Sequence, residues 1–345
     1  MLRRRPNLTS LLIFLCLGLE GFSQSEQSVK ILTIGNSFAD DATRHLESIC
    51  RSSGVALTLG KANLGGSSLK RHASHLEAFQ RDASDAKGRP YQHPQGESYP
   101  RQSLVELLQS ETWDYVSIQQ FSGDSYQPDT YEPHASKLVA TIRSQAPQAQ
   151  ILLLQTWAYR HDHPYFEPED LNQEIMHRKL VDAYDGLASK HHLQIVPLSE
   201  AFQIARGMPH FHQVIPDPDF NYNDPPTDQL PDQKGSLVKG WFWAENSNTG
   251  EKRLKLDAKH CNARGSYLGA CVLYEIITDK NSRDLAWRPD SLSEKEGEDL
   301  RYAARKAVAT READLAFIPI FNGKDLEDWD YDPRYWRIED GTMVG

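Results

Sequence analysis

A chain of 345 residues, 39% of them apolar and 10% aromatic, is long enough to bury one large core or two smaller ones, and it carries too much hydrophobic mass to read as disordered. Its formal charge of −10 comes without a basic stripe, which argues against a protein that tracks nucleic-acid phosphates. None of its four cysteines stands in a Cys-x-x-Cys spacing that would suggest zinc.

At the N-terminus Arg3, Arg4 and Arg5 precede the apolar run Leu11 to Leu19 and then Gly21-Phe22-Ser23-Gln24. That apolar core is too short to span a bilayer, so residues 1–24 read as a cleaved secretory signal and the mature chain as secreted or periplasmic. Cys16 follows Leu15 where a lipoprotein signal has a small residue, so lipidation is not expected. Cleavage removes three Arg and one Glu, which moves the formal charge from −10 to −12. It leaves Cys50, Cys261 and Cys271, an odd set in which at least one thiol is free or pairs with another chain. No later apolar run is long enough to cross a membrane, so no stable insertion is expected after cleavage.

The β-branched run Val29 to Ile34 predicts a short buried strand that breaks at Gly35-Asn36-Ser37 before a helical pattern from Phe38 to Ile49. Ser37 thus falls where a strand ends and a helix begins, a rigid place for a nucleophile and equally a place for a helix cap. Val55 to Ala62 alternates as a second strand and runs into Asn63-Leu64-Gly65-Gly66-Ser67-Ser68, where paired glycines let backbone approach a ligand closely. Leu69 to Phe79 has helical spacing, and Asp85 to Arg101 is a polar excursion. Tyr115 to Ile118 is a third strand leading into Gln119 and Gln120. Pro133 to Gln145 reads as helix, Ile151 to Gln155 as a fourth strand, Leu171 to His191 as a long helix and Leu193 to Val196 as a fifth strand. Strands alternating with helices point to a parallel sheet covered on both faces. From about Met208 to Lys255 periodicity fades among Pro, Asp, Asn and Trp, and so long an irregular stretch is commonly functional. Asn262 to Thr278 suits a final helix. Residues 279–314 are highly charged and read as a linker carrying a polar helix around Glu294 to Arg311.

A serine needs a base to take its proton, and the base needs a third group to orient it. Asp257 and His260 supply such a pair just before the last helix, on a loop that can reach the end of the first strand. Asp-x-x-His alone is a weak signal in a chain with 13 histidines. Acyl transfer also needs donors aimed at the developing oxyanion, and the N–H groups of Ser37 and Gly66 and the side chain of Gln119 or Gln120 stand at the ends of the first three strands.

Together Gly35-Asn36-Ser37-Phe38, Gly65-Gly66-Ser67-Ser68, Ile118-Gln119-Gln120 and Asp257-x-x-His260 resemble, in order, the four blocks of the SGNH (GDSL-like) hydrolases over about residues 29–278, within a domain read as 25–278. The resemblance implies an α/β fold, a flavodoxin-like three-layer α/β/α sandwich, and a serine esterase that needs no cofactor or metal. It implies Ser37 as nucleophile, His260 as base, Asp257 as its orienter, and Ser37, Gly66 and one of Gln119 and Gln120 as oxyanion donors. The glutamines depart from the family's usual Asn and are similar to its carbohydrate acetylesterase branches. Residues 315–345, with Phe321-Asn322-Gly323-Lys324-Asp325-Leu326, Trp329 and Trp336-Arg337, resemble the opening of a 3-keto-disaccharide hydrolase module, a β-rich concanavalin-like sandwich too short here to close its core. The implied partner is a small-molecule or glycan ester. The competing readings are a non-catalytic carbohydrate-binding protein on the same fold, which the approach of Ser37 to His260 discriminates from the esterase, and part of a 3-keto-glycoside hydrolase, against which the missing bulk of that module argues.

Other features invite weaker readings. Trp241 and Trp243 could stack on a sugar or plug the loop beneath them. His161-Asp162-His163 and His210-Phe211-His212 lack a clustered third metal ligand, and the acidic run Asp217 to Asp224 lacks the glycine and closing glutamate of a calcium loop.

Overall fold

The computed structural model describes residues 27–167, 170–212, 216–316, 336–339 and 342–344. In chain order the main elements are β1 (Gln27–Gly35), α1 (Ser37–Thr43), α2 (Leu46–Ser52), β2 (Val55–Asn63), α3 (Leu69–Arg81), α4 (Leu104–Gln109), β3 (Tyr115–Ile118), α5 (His134–Gln145), β4 (Gln150–Leu154), α6 (Gln173–His191), β5 (Gln194–Val196), α7 (Leu198–Arg206), β6 (Val238–Glu245), β7 (Lys252–Cys261), α8 (Ala263–Thr278) and α9 (Glu294–Ala316).

Strands β1 to β5 form one sheet in the order 2-1-3-4-5, every pair parallel. This is the doubly wound order of flavodoxin-like folds, whose crossovers leave a crevice between β1 and β3 at their carboxyl ends. The pleat of β1 explains why both faces are covered. Val29 and Ile31 point into a core with Phe38, Leu46 and Ile49 from the first two helices, Phe202 from α7 and much of α8 and α9. Leu32 and Ile34 point the other way, onto Leu69, Leu107, Leu138 and Leu180 from α3 to α6. The chain therefore has the expected α/β/α layering.

Four local differences matter. The helix expected over Phe38 to Ile49 is two helices, broken at Arg44 and His45; the Thr43 hydroxyl takes the Ala39 carbonyl (2.8 Å), competing with the helical ladder. Helices α4 and α7 were not expected. The first carries a full capping box, with Glu106 N–H donating to Ser103 Oγ (3.2 Å) and Ser103 N–H donating to Glu106 (2.8 Å). The stretch 208–255 is not irregular throughout, because β6 lies in it and pairs antiparallel with β7, so Asp257 and His260 stand on a strand and not on a loop. Lastly, 279–314 is no free linker. Leu300, Ala303, Ala304, Ala307 and Val308 recur at helical spacing on α9 and are buried against the core that α7 and α8 share.

The segment read as a secretory signal, 1–24, and most of the segment read as the start of a C-terminal module, 315–345, lie outside the described residues; in the latter, Arg337–Glu339 pairs antiparallel with Thr342–Val344. Among the described residues no helix is long and apolar enough to cross a membrane. Cys50, Cys261 and Cys271 are all free and buried.

Candidate active site

Strand β1 delivers Ser37 to the crevice. Asn36, 1% exposed, caps α1 by accepting from Phe38 N–H (3.0 Å) and donates to the carbonyls of Ser67 (3.0 Å) and Gln120 (3.2 Å). One amide thus fastens the turn before Ser37 to the loops that follow β2 and β3. That explains Asn at this position, since an acidic side chain would accept from the helix but could not donate to two carbonyls.

Asp257 and His260 are brought to Ser37 by a distortion of the hairpin. Gly240 pairs with Asp257 and Val238 with Cys261, so the single residue Lys239 on β6 faces three, Ala258 to His260, on β7. The bulge curls the strand until Asp257 can accept from His260 N–H (3.1 Å), a contact a flat strand could not make between residues three apart. Its carbonyls are fastened from β4's continuation, by Arg160 N–H on Ala258 (2.8 Å) and the Trp157 indole on Lys259 (2.8 Å). Just past it, Cys261 N–H donates to Asp41 (2.8 Å), one turn along the helix that begins at Ser37.

The resulting distances are short. Ser37 Oγ lies 2.9 Å from His260 Nε2, and His260 Nδ1 lies 3.0 Å from each carboxylate oxygen of Asp257. Burial works against ionisation of Asp257, but the hydrogen bonds from the His260 ring and backbone, with Lys239 Nζ at 3.5 Å, hold its carboxyl well below the usual range. An ionised carboxylate only accepts, so Nδ1 carries the proton and Nε2 presents its lone pair to the Ser37 hydroxyl.

The other candidates are placed unequally. Gly66 takes a left-handed conformation (φ 62°), as its turn requires, and is exposed. Among the described residues neither the Ser37 nor the Gly66 N–H has an acceptor. Gln120 is fully committed elsewhere: its oxygen accepts from Leu69 N–H (3.0 Å) and Phe121 N–H (2.9 Å), and its nitrogen donates to the carbonyl and hydroxyl of Thr130 (both 3.0 Å). It ties the β2 and β3 loops together and has no hydrogen left to offer an oxyanion. Gln119 is buried with its oxygen unpartnered and its nitrogen only 3.5 Å from the Gln155 carbonyl.

The two tryptophans do not join this group. Trp241 and Trp243 alternate with Phe242 and pair with Leu256 and Leu254, on the face of the ribbon opposite to that of Gly240 and Asp257. Their indoles are held by Asp162 (3.1 Å) and the Gln229 carbonyl (2.8 Å), so they fix the hairpin to the loops behind it. Among the described residues no cluster of three or more His, Cys, Asp or Glu is arranged to hold a metal. Asp162 is taken by a bidentate pair with Arg160 (2.7 Å twice), and the Asp217 and Asn221 oxygens close Asx turns and a loop contact.

Sequence reading missed His72. On α3 it is fully buried beneath the crevice, with Nε2 3.0 Å from the Gly35 carbonyl and Nδ1 2.8 Å from the Tyr91 hydroxyl. The carbonyl can only accept, so Nε2 carries the hydrogen and Tyr91 donates to Nδ1. Burial pulls its pKa down to about 4, the Gly35 bond opposing only in part. The folded value lies below that of the unfolded chain, about 6.5, so the unfolded state binds the proton first. Stability is expected to be level above that pH and to fall by up to about 3 kcal/mol as pH drops to about 4. Urea midpoints from pH 7 to pH 4 check this, and a slope as steep in His72→Gln as in the wild type would rule His72 out as its source.

The family model for a domain of unknown function, DUF4886, matches residues 30–210, just over half of the chain. The chain therefore belongs to the DUF4886 family. Ser37, Gly66, Gln119 and Gln120 lie inside the matched span, Asp257 and His260 beyond it. Among solved structures, a DUF4886 family protein from Bacteroides uniformis is 25% identical with a TM-score of 0.62, covering 82% of this chain and 95% of its own. A Slackia heliotrinireducens protein provisionally assigned as an SGNH hydrolase is 17% identical with a TM-score of 0.43, covering 72% of this chain and 98% of its own. Axe2, an acetylxylan esterase from Geobacillus stearothermophilus, is 13% identical with a TM-score of 0.31, covering 53% and 83%. These last two likenesses are of fold alone. No curated protein matches the chain.

Proposed function

We propose that the protein is a serine esterase that removes small acyl groups, acetyl above all, from a carbohydrate outside the cytoplasm. The observation that carries this reading is the unbroken line from the Asp257 carboxylate through the His260 ring to the Ser37 hydroxyl, with steps of 3.0 and 2.9 Å. In that arrangement His260 Nε2 takes the serine proton as Oγ attacks the ester carbonyl. The Asp257 carboxylate holds the tautomer and offsets the charge that develops on the ring. The tetrahedral oxyanion is met by the free N–H groups of Ser37 and Gly66. His260 then returns its proton to the leaving alkoxide, and water repeats the sequence on the acyl-enzyme. A contact this short gives a purely carbohydrate-binding role no support. The sugar rests on context, namely the export signal read at 1–24 and the resemblance to a 3-keto-disaccharide hydrolase module at 315–345. The reading is tested by loss of acetyl ester hydrolysis in Ser37→Ala.

Gln119 is the proposed side-chain donor, because Gln120 has none to spare. Gln119→Ala is expected to slow kcat on the order of 100-fold or more with little change in KM, as removal of one oxyanion donor does. Gln120→Ala is instead expected to lower Tm, since it leaves the buried Leu69 N–H without its acceptor and unties the β2 and β3 loops. Steady-state kinetics and thermal melts of the two variants decide it. Unchanged kcat in Gln119→Ala would remove that residue from the site.

A further inference from the structure

An aromatic path leads away from the Ser37 site. The Phe38 ring lies 5.7 Å from the His260 ring and 6.3 Å from that of Tyr159, and Tyr159 in turn lies 4.3 Å from His163 and 5.4 Å from Tyr165. Lys259, the neighbour of His260, holds its ammonium 5.9 Å from the Tyr159 ring centre. Where the path surfaces, Tyr165 borders a cavity of about 520 Å³ together with Tyr126, Asp124, Gln127, Asp170 and Lys179. That volume falls within the range of roughly 300–1,000 Å³ of small-ligand sites.

Resting on the esterase reading above, we infer that this cavity is an outlying subsite that holds a sugar ring of the substrate away from the scissile ester, beyond the buried rings of Phe38 and Tyr159. The Tyr165 ring is 44% exposed yet fixed in place. Its N–H donates to His163 Nδ1 (3.1 Å), and the His163 ring meets it edge-on at 4.9 Å and 86°. A preset tyrosine with solvent at its surface can take the C–H face of a pyranose at little entropic cost. Asp124 supplies the complementary polarity. Its carboxylate is half-buried, has no donor or cation partner among the described residues, and is pushed by burial toward a higher pKa. Such an acceptor is satisfied by ligand hydroxyls, while Gln127 and Lys179 offer donors on the same cavity. Carboxylates, an amide and an ammonium around a tyrosine suit a polyhydroxylated ring and penalise a fatty acyl chain, which would leave all of them desolvated and unpaired.

The test compares kcat/KM for acetylated xylotetraose, 4-nitrophenyl acetate and 4-nitrophenyl decanoate in the wild type, Tyr165→Ala and Asp124→Asn. Stacking of this kind is worth about tenfold, so the ratio of oligosaccharide to aryl acetate efficiency is expected to fall about tenfold in Tyr165→Ala through a raised oligosaccharide KM, and in the same direction in Asp124→Asn. An unchanged ratio, or decanoate preferred over acetate and lost in Tyr165→Ala, overturns the subsite. If the wild type hydrolyses none of the three esters, the esterase reading fails separately. The subsite is then decided by calorimetric titration with xylotetraose, cellotetraose and mannotetraose. Binding of one of them, weakened about tenfold in Tyr165→Ala, upholds it, and binding of none overturns it.

Discussion

Ser37→Ala is expected to abolish ester hydrolysis while leaving the fold intact. The Ser37 hydroxyl makes one hydrogen bond, to His260 Nε2, and alanine suits the first position of α1. The cap that holds the turn belongs to Asn36, whose bonds to Phe38, Ser67 and Gln120 do not involve the serine side chain. Tm should therefore change little, and kcat for an acetyl ester should drop at least about a thousandfold, as removal of a nucleophile from a cooperating set does. A variant that kept more than about a hundredth of wild-type turnover would sink the assignment. So would an equal loss of structure by circular dichroism, because the loss of activity would then say nothing about chemistry.

The second large effect is expected at Asp257. In Asp257→Asn the side-chain oxygen can still accept from His260 N–H, so the bulge of β7 keeps its internal bond (3.1 Å in the wild type). What changes is the partner of the ring. Of the two oxygens 3.0 Å from Nδ1, one becomes an NH₂ that cannot accept from Nδ1–H and opposes it, which favours the other tautomer, in which Nε2 is a donor unable to take the serine proton. Loss of the ionised carboxylate also removes the charge that offsets the developing imidazolium. From the size of this effect in other triads, kcat is expected to fall on the order of 10³- to 10⁴-fold with KM nearly unchanged. Less than a tenfold loss would mean that His260 is oriented by something other than Asp257.

The parallel sheet was legible from short apolar or alternating runs, most of them followed by helical spacing. Strand β1 shows this in miniature, with Val29 and Ile31 in one core and Leu32 and Ile34 in the other. The boundaries that failed have separate physical causes. Helix α4 is announced by Ser103-x-x-Glu106, a cap signal that stands just past the polar excursion 85–101 and before a run of only six helical residues. Helix α9 is legible as a polar helix but not as a packed one, because its charged residues outnumber its apolar ones, although the buried stripe from Leu300 to Val308 has the right period. The β6–β7 ribbon was obscured because the bulge of Ala258 to His260, just after Asp257, breaks the alternation by which strands are recognised. For the site, residue types, spacing and the family resemblance offer Ser37, Asp257, His260 and Gly66 as candidates, of which the structure brings Ser37, His260 and Asp257 within hydrogen-bond reach. They could not separate Gln119 from Gln120, since that depends on the bonds of Gln120 to Leu69 and Thr130, which no local pattern encodes. Nor could they find His72, whose contacts with Gly35 and Tyr91 join positions far apart in the chain.

The central claim is that the Ser37 hydroxyl is an activated nucleophile, and covalent labelling measures that without knowledge of the natural substrate. The protein is incubated with a fluorophosphonate, whose phosphorus is attacked by an activated serine with loss of fluoride, and the adduct is located by intact-mass and peptide mass spectrometry. A single phosphonyl adduct on Ser37 is expected, absent in Ser37→Ala and formed far more slowly in Asp257→Asn. An unlabelled wild-type protein, or an adduct on any other serine, would contradict the account.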